Sequence, residues 1–384
     1  MERLVSACHL ARIMVAAAFL AGAALQARAQ AAPARTIRLA TPNATLATEF
    51  SFVSSVRELA DGRVLVVDRS ERKLLVADWS KRETTQIGRN GSGPGEYLQP
   101  SMLLSLGGDS TLLPDLRNGR WLLLSGAEIV TTVGPDSPAL RAGARSPLGA
   151  DRRGNVLLTM SIGGAAPPRR ETAMPRLDST QLVRVNRTTG DADTLAMLRA
   201  RPTTVKIEGP VDRPTSISVL MNPLATGELA MLFPDGGIAI ARLDPYRVDW
   251  IAPDGKGTAG LPLPFERVRL DEREQRAYLT RQAERNGTTA GDPRSYPAWP
   301  EVVPPFQPDA LLPAPDGRLW IKRVATSANL NPPYDVVDRQ GTLVARVAVE
   351  KDVAVVGFGR GVVFTSVADE NGLQRLQRRP YPAF

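Results

Sequence analysis

The stretch Pro315-Asp316-Gly317-Arg318-Leu319-Trp320-Ile321 decides the fold, because it recurs. A tight turn containing Asp and Gly is followed at once by an apolar strand. The same unit stands at Ala60-Asp61-Gly62-Arg63-Val64-Leu65-Val66-Val67, at Gly108-Asp109-Ser110-Thr111-Leu112-Leu113 and at Arg153-Gly154-Asn155-Val156-Leu157-Leu158. It returns at Pro234-Asp235-Gly236-Gly237-Ile238-Ala239-Ile240 and at Gly359-Arg360-Gly361-Val362-Val363-Phe364. Gly serves such turns because it takes positive φ without steric cost. The repeated glycines fall at 62, 108, 154, 236, 317 and 361. Three of the five steps lie near the ~40–45 residues of one propeller blade, and the other two are close to twice that. The extra residues in the long steps are Pro-rich or helical, so they read as insertions within a set of six.

Working outward, each unit is followed by a second strand and usually a second turn. Leu74-Leu75-Val76-Ala77 precedes Asp78-Trp79-Ser80, and Leu182-Val183-Arg184-Val185 precedes Asn186-Arg187-Thr188-Thr189-Gly190. Tyr334-Asp335-Val336-Val337 precedes Asp338-Arg339-Gln340-Gly341. The expected fold is therefore all-β, a six-bladed β-propeller with blades starting near residues 50, 101, 147, 223, 307 and 352. The last blade is one strand short. Thr36-Ile37-Arg38-Leu39 has no blade of its own, so it is expected to pair into blade six, close the ring and cover an open edge.

At Ile87-Gly88-Arg89-Asn90-Gly91-Ser92-Gly93-Pro94-Gly95-Glu96-Tyr97 with Pro100, the chain resembles bacterial exported six-bladed propellers of the TolB-like/NHL-like group. Asp244-Pro245-Tyr246-Arg247-Val248-Asp249-Trp250, Val356-Gly357-Phe358-Gly359 and Asp369-Glu370-Asn371-Gly372-Leu373 extend the resemblance along the chain. It implies a fold and an exported location, and no particular activity.

The N-terminal residues read as an export signal. Arg3 and Arg12 give a positive region ahead of the apolar run 13–25, and Ala27-Arg28-Ala29 matches an A-x-A cleavage site. The expected division is a signal peptide at 1–29 and a propeller at 30–384. The expected location is periplasmic or secreted, with no transmembrane segment after cleavage. Cys8 and His9 are the only Cys and His, and both lie in the expected signal. A mature chain without them has no disulfide, no His/Cys zinc site and no Ser-His-Asp or Cys-His machinery. Losing Arg3, Arg12 and Arg28 together with Glu2 lowers the formal charge from +8 to +6. Of 48 basic residues, 42 are Arg, but they are scattered rather than blocked, so no nucleic-acid partner is expected.

Strands are lettered a to d from the axis outward. The long segments 89–100, 133–146, 160–178, 197–222, 261–308 and 325–333 are all b–c loops or crossings to the next blade. Both kinds emerge on one face of the ring, so a ligand site is expected there. The insertion 261–308 carries one expected helix. Asp271 is its N-cap, Glu274 completes a capping box, and Asn286-Gly287 ends it. This segment is expected to cover part of the channel mouth.

Two sequence motifs carry no chemistry. Gly91 to Glu96 lacks the following helix and the Lys of a phosphate loop, so it reads as a blade crossing. Ser70-Glu71-Arg72-Lys73 matches S-x-x-K but lies between strands without companion motifs. The candidate ligand-binding residues on the favoured face are Glu96, Tyr97, Asp115, Arg117, Asn118, Arg242, Tyr246, Asp369, Glu370 and Asn371. Arginines at 69, 72, 169 and 170 crowd the same loops. No catalytic residue is assigned. The favoured function is a non-enzymatic binding or scaffold module, monomeric and cofactor-free, for a protein, peptide or glycan. The alternative is a lactonase- or esterase-like hydrolase using Ca²⁺ or Mg²⁺, with Glu96, Asp115, Asn118 and Asp369 as the weak ligand candidates.

Overall fold

Six antiparallel sheets succeed one another along the chain in a computed structural model that describes residues 34–144, 146–161, 179–208, 213, 215–296 and 298–384. The expected signal peptide and the arginines at 169 and 170 lie outside these residues. Blade one is Val53–Glu58, Val64–Asp68, Lys73–Asp78 and Glu83–Gln86. Blade two is Leu104–Gly107, Ser110–Asp115, Arg120–Ser125 and Glu128–Val133. Blade three is Gly149–Ala150, Asn155–Ser161, Ser179–Asn186 and Ala192–Arg199. Blade four is Leu229–Leu232, Ile238–Leu243, Tyr246–Ile251 and Gly257–Thr258. Blade five holds Leu311–Pro313, Leu319–Ile321, Tyr334–Val337 and Leu343–Ala348. Blade six holds Val353–Gly359, Val362–Ala368, Gln374–Pro380 and Ala44–Phe50. The protein is an all-β six-bladed propeller.

The repeated turn explains why the blades form. Gly62, Gly108, Gly154, Gly236, Gly317 and Gly361 all take positive φ, between 50° and 92°. The Asp before several of them folds onto the turn. Asp61 Oδ1 accepts from Arg63 N–H at 2.9 Å, Asp235 Oδ1 from Gly237 N–H at 3.0 Å, and Asp316 Oδ1 from Arg318 N–H at 3.0 Å. Such Asx turns give the backbone a local partner where the ladder ends.

Strand b explains why the blades stack. Its side chains alternate between faces, yet both faces are apolar, because each faces a neighbouring sheet. Val64 and Val66 pack toward blade six with Phe50, Phe364 and Leu376. Leu65 and Val67 pack toward blade two with Leu113 and Leu122. Leu319 and Ile321 join blade four, while Trp320 joins blade six. One such cluster fills each of the six interfaces between blades. Burying each Val, Leu, Ile or Phe there is worth about 1.5–3 kcal/mol, so the ring is held by its radial seams.

Ring closure differs from the sequence expectation. Ala44–Phe50, not Thr36-Ile37-Arg38-Leu39, completes blade six by pairing antiparallel with Gln374–Pro380. Thr36–Arg38 instead runs parallel to the outer strand of blade five, as a fifth strand. The reason is length and pattern: the seven-residue strand matches Gln374–Pro380 and buries Leu46 and Phe50, at 1% and 2% exposure. An N-terminal strand does close the ring, but the segment ahead of it braces a second blade.

Candidate functional site

Strands a and c run away from one face and strands b and d toward it. The b–c loops and blade crossings therefore share a rim, and the long connections all belong to that rim. The rim includes a hairpin that the sequence did not suggest. Thr203–Glu208 pairs with Ser216–Met221 within the crossing from blade three to blade four. Ala192–Arg199 is strand, so that crossing begins later than the expected residue 197.

The insertion after blade four also lies on the rim. Its helix is Glu272–Asn286, with Asp271 Oδ1 accepting from Glu274 N–H at 3.0 Å and Gly287 as a left-handed cap at φ 62°. The capping box is only half made. The Glu274 carboxylate turns away to Ser327, accepting from its N–H at 2.9 Å and from its hydroxyl. Leu270 and Val303 pack with Leu224, Tyr278, Trp299 and Val324, so the insertion rests on the crossing before blade four and the loop of blade five.

Beneath this insertion is a buried polar knot. Asp335 is fully buried. Its Oδ2 accepts from Tyr246 Oη at 2.9 Å and Arg323 Nη1 at 2.7 Å, and its Oδ1 from Arg346 Nε at 3.1 Å. Each arginine also holds one end of the insertion: Arg323 Nε donates to Pro305 O at 3.0 Å, and Arg346 Nη2 to Pro264 O at 3.2 Å. The Arg323 guanidinium lies over the rings of Tyr246 and Phe265 at 5.1 and 4.9 Å. Burial, aided by the charge of Asp335, pushes the Tyr246 hydroxyl well above its ordinary range. The knot is saturated, and Tyr246 offers nothing to a ligand while the insertion is in place.

Glu96, Asp115 and Asn118 do come together, but as the frame of the crossing from blade one to blade two. Asp115 is fully buried. It accepts from Gln99 N–H at 2.9 Å, Leu98 N–H at 3.2 Å and Asn118 Nδ2 at 2.6 Å. Asp68, at the same position of blade one, accepts from Ser51 and Phe52 N–H at 2.7 and 3.1 Å. Two blades thus use one device: a buried carboxylate at the end of strand b gathers the N–H groups of the incoming crossing. The Glu96 carboxylate accepts from Gly93 N–H and Arg89 Nε, both at 2.7 Å. Those two bonds hold its pKa below the usual carboxylate value. Arg120, which sequence reasoning missed, donates to Ser92 O at 2.7 Å and Glu96 O at 2.9 Å. The 91–96 segment is a crossing, with Gly91 and Gly95 at positive φ and no helix after it.

The remaining candidates are dispersed. Tyr97 is buried, donating to Ile87 O at 2.7 Å and accepting from Leu74 N–H at 3.0 Å. Arg242 bridges Glu228 at 2.7 Å and Asp249 at 2.8 Å. Burial alone would lower its pKa, but the hydrogen bonds it donates to Asp249 and Glu228 outweigh that and raise it. Arg117 is exposed in the b–c turn of blade two. Asp369 Oδ1 accepts from Asn371 and Leu373 N–H, each at 2.9 Å, so it makes a turn, and Glu370 and Asn371 are exposed beside it. Ser70 and Lys73 lie at a strand-to-strand turn without a helix. Among the described residues, no group of three or more His, Cys, Asp or Glu is placed to hold a metal ion. A signal for the missed knot did exist: Asp335 and Arg346 are charges inside otherwise apolar strands.

Among known proteins, a family model matches the first part of the propeller. The family DUF5128, described as a 6-bladed beta-propeller, matches residues 31–103. No curated protein sequence matches the chain. Among solved structures, regucalcin of Agrobacterium tumefaciens, a calcium-binding protein, is 12% identical with a TM-score of 0.45, covering 91% of this chain and 98% of its own. A protein of Bacteroides fragilis described provisionally as exported is also 12% identical, with a TM-score of 0.47 and coverage of 91% and 99%. A protein described provisionally as a gluconolactonase is 11% identical, with a TM-score of 0.44 and coverage of 91% and 100%.

Proposed function

We propose that this chain is an exported propeller that holds a protein, peptide or glycan on its elaborated rim and does no chemistry on it. The observation that carries this reading is where apolar surface is left open. Among the described residues, five of the six exposed large hydrophobics belong to the rim or the strand ends feeding it: Phe52, Met197, Leu220, Leu261 and Leu330. Leu330 is 66% exposed in the loop of blade five. Apolar side chains gathered on one side of a folded domain favour a partner surface. The signal pattern at 1–29 supports export to the periplasm or the medium.

The insertion lends itself to a clean test. Leu270 N–H donates to Glu301 O at 2.9 Å, and Arg269 bridges Val302, so the chain leaves and returns at one point. Residues 271–300 can be replaced by an Asn-Gly turn, whereas removal of 261–308 would take out the fully buried Phe306. The full chain is expected to bind on peptide or glycan arrays, and the excised form to keep its far-UV circular dichroism but bind roughly tenfold more weakly. No binding on either array would defeat the reading. Undiminished binding by the excised ring would remove the insertion from the site.

The same reading expects no structural Ca²⁺ or Mg²⁺. The carboxylates of Asp115, Glu96 and Asp369 already accept two or more N–H groups apiece. A hard cation would need six or more oxygens and would have to strip these donors away. Melting with EDTA and with millimolar Ca²⁺ should give the same midpoint within about 1 °C, since ligand linkage would otherwise raise it. A calcium-dependent rise, with lactone hydrolysis, would favour the hydrolase instead.

A further inference from the structure

We propose that the inner seam between blades one and two holds a small monovalent inorganic anion, of halide size, against the guanidinium of Arg57. Two arginines are buried among the described residues, Arg57 at 9% exposure and Arg379 at 2%. Arg379 is neutralised by Glu350, whose carboxylate it reaches at 2.8 Å. Arg57 has no such partner. Its hydrogen bonds all go to uncharged oxygens: Nη1 donates to Thr111 Oγ1, and Nη2 to Ser105 Oγ at 3.2 Å and to Gly108 O at 2.5 Å. The carboxylate that acts on it is Asp109, but the two form no ion pair, and Asp109 Oδ1 accepts instead from Ala60 N–H at 2.7 Å. Burial lowers the Arg57 pKa, and the charge of Asp109 offsets this only in part. A guanidinium does not shed its proton inside a protein, so the charge stays and calls for an anion.

The seam around Arg57 is rich in donors and poor in acceptors. Ser105 and Thr111 are paired residues of adjacent strands in blade two, so their hydroxyls stand side by side. Both accept from Arg57, and Ser105 Oγ also accepts from Gly107 N–H at 3.4 Å. Ser55 stands two residues before Arg57, on the same face of its strand, and accepts from Leu103 N–H at 3.1 Å. Each of these hydroxyls is thus used as an acceptor and still has a proton to give. So have two of the five N–H groups of Arg57. Thr111 is fully buried, which makes an unspent proton there costly. One anion meets both needs, as a negative charge for Arg57 and as an acceptor for the hydroxyl protons. Both hydrogens of Nη2 are spent, so the guanidinium cannot offer a two-pronged grip to a carboxylate. Protons arriving from separate groups suit a single round atom.

Val53–Glu58 runs away from the rim, and Arg57 is its fifth residue. The anion therefore belongs to the half of the ring far from the rim loops, and its binding does not depend on what the rim holds. It joins blade one, through Arg57, to blade two, through Ser105 and Thr111.

The probe is chloride, read by thermal melting at constant ionic strength, with sodium methanesulfonate as the bulky counter-salt. Replacing methanesulfonate by chloride is expected to raise the wild-type midpoint by about 3 °C, as a ligand of the folded state does. Arg57→Met keeps the length of the side chain without its charge, and should lose the chloride-dependent rise. Thr111→Val keeps the volume and removes one proton donor, so its rise should need roughly tenfold more chloride. Crystals grown in bromide give a readout that needs no variant: an anomalous peak is expected in contact with Arg57. Bromide peaks at surface arginines alone, an adventitious ion only, overturn the proposal. So do equal midpoints in the two salts, or a rise that Arg57→Met retains. An unchanged chloride requirement in Thr111→Val overturns it as well, because the donor set is then not the site.

Discussion

Asp335→Ala is expected to destabilise the protein by about 3–5 kcal/mol, the cost of leaving a buried charge without its partner. Two cations and one hydroxyl converge on this carboxylate: Arg323, Arg346 and Tyr246. Without it, Arg323 and Arg346 lose the anchor that aims them at Pro305 O and Pro264 O. The damage should thus appear first in the insertion. Limited proteolysis is expected to cut within 261–308 before any blade, at temperatures where wild type resists. Asp335→Asn keeps an acceptor and the shape, so it should fall between the two. An Asp335→Ala protein melting within about 1 °C of wild type would show that the knot is ornamental, since losses of this size move a midpoint by several degrees.

Removing residues 34–50 should have the larger effect and prevent a stable ring. Ala44–Phe50 is the fourth strand of blade six, and Leu46 and Phe50 fill the seam with blade one. Without them, the whole length of Gln374–Pro380 becomes an unpaired edge, an invitation to aggregation. Size-exclusion chromatography is expected to show aggregate or an expanded monomer in place of the folded peak. Removing only 34–38 is the control. It takes away the short parallel strand on blade five but spares Leu39, Leu46 and Phe50, and should cost only about 1–2 kcal/mol. Equal stability of the two truncations would mean that the ring seals in some other way.

The repeat was legible because its physics is local. A positive-φ glycine after Asp, then a strand apolar on both faces, can be read from eight residues such as Ala60 to Val67. The helix at Glu272–Asn286 was legible for the same reason, since Asp271 and Gly287 mark its ends. Closure was misread because both Thr36–Arg38 and Ala44–Phe50 alternate like strands. Choosing between them depends on a partner more than 300 residues away, as the pair Glu49 and Arg375 illustrates. The site candidates fared differently. Asp115 and Glu96 sit on the expected rim, but polarity alone does not say that backbone and side-chain N–H groups of the same crossing already occupy their oxygens. Tyr97 reads as a rim aromatic until its hydroxyl is found bonded to Ile87 and Leu74 inside the blade. Asp335 does not stand out in the sequence beside the many charges in the loops. A carboxylate inside Tyr334-Asp335-Val336-Val337 was the more telling sign, since burial of a charge demands cations nearby.

Sealing blade six with Ala44–Phe50 also sets the timing of folding. The strand is synthesised ahead of the five other blades, and its partner, Gln374–Pro380, after them. Until the ribosome reaches that partner, the early strand must wait unpaired and no circular arrangement can be completed. Contacts of such separation form slowly, because a long loop must close first. A chain still growing would thus carry a line of loose blades and no finished ring.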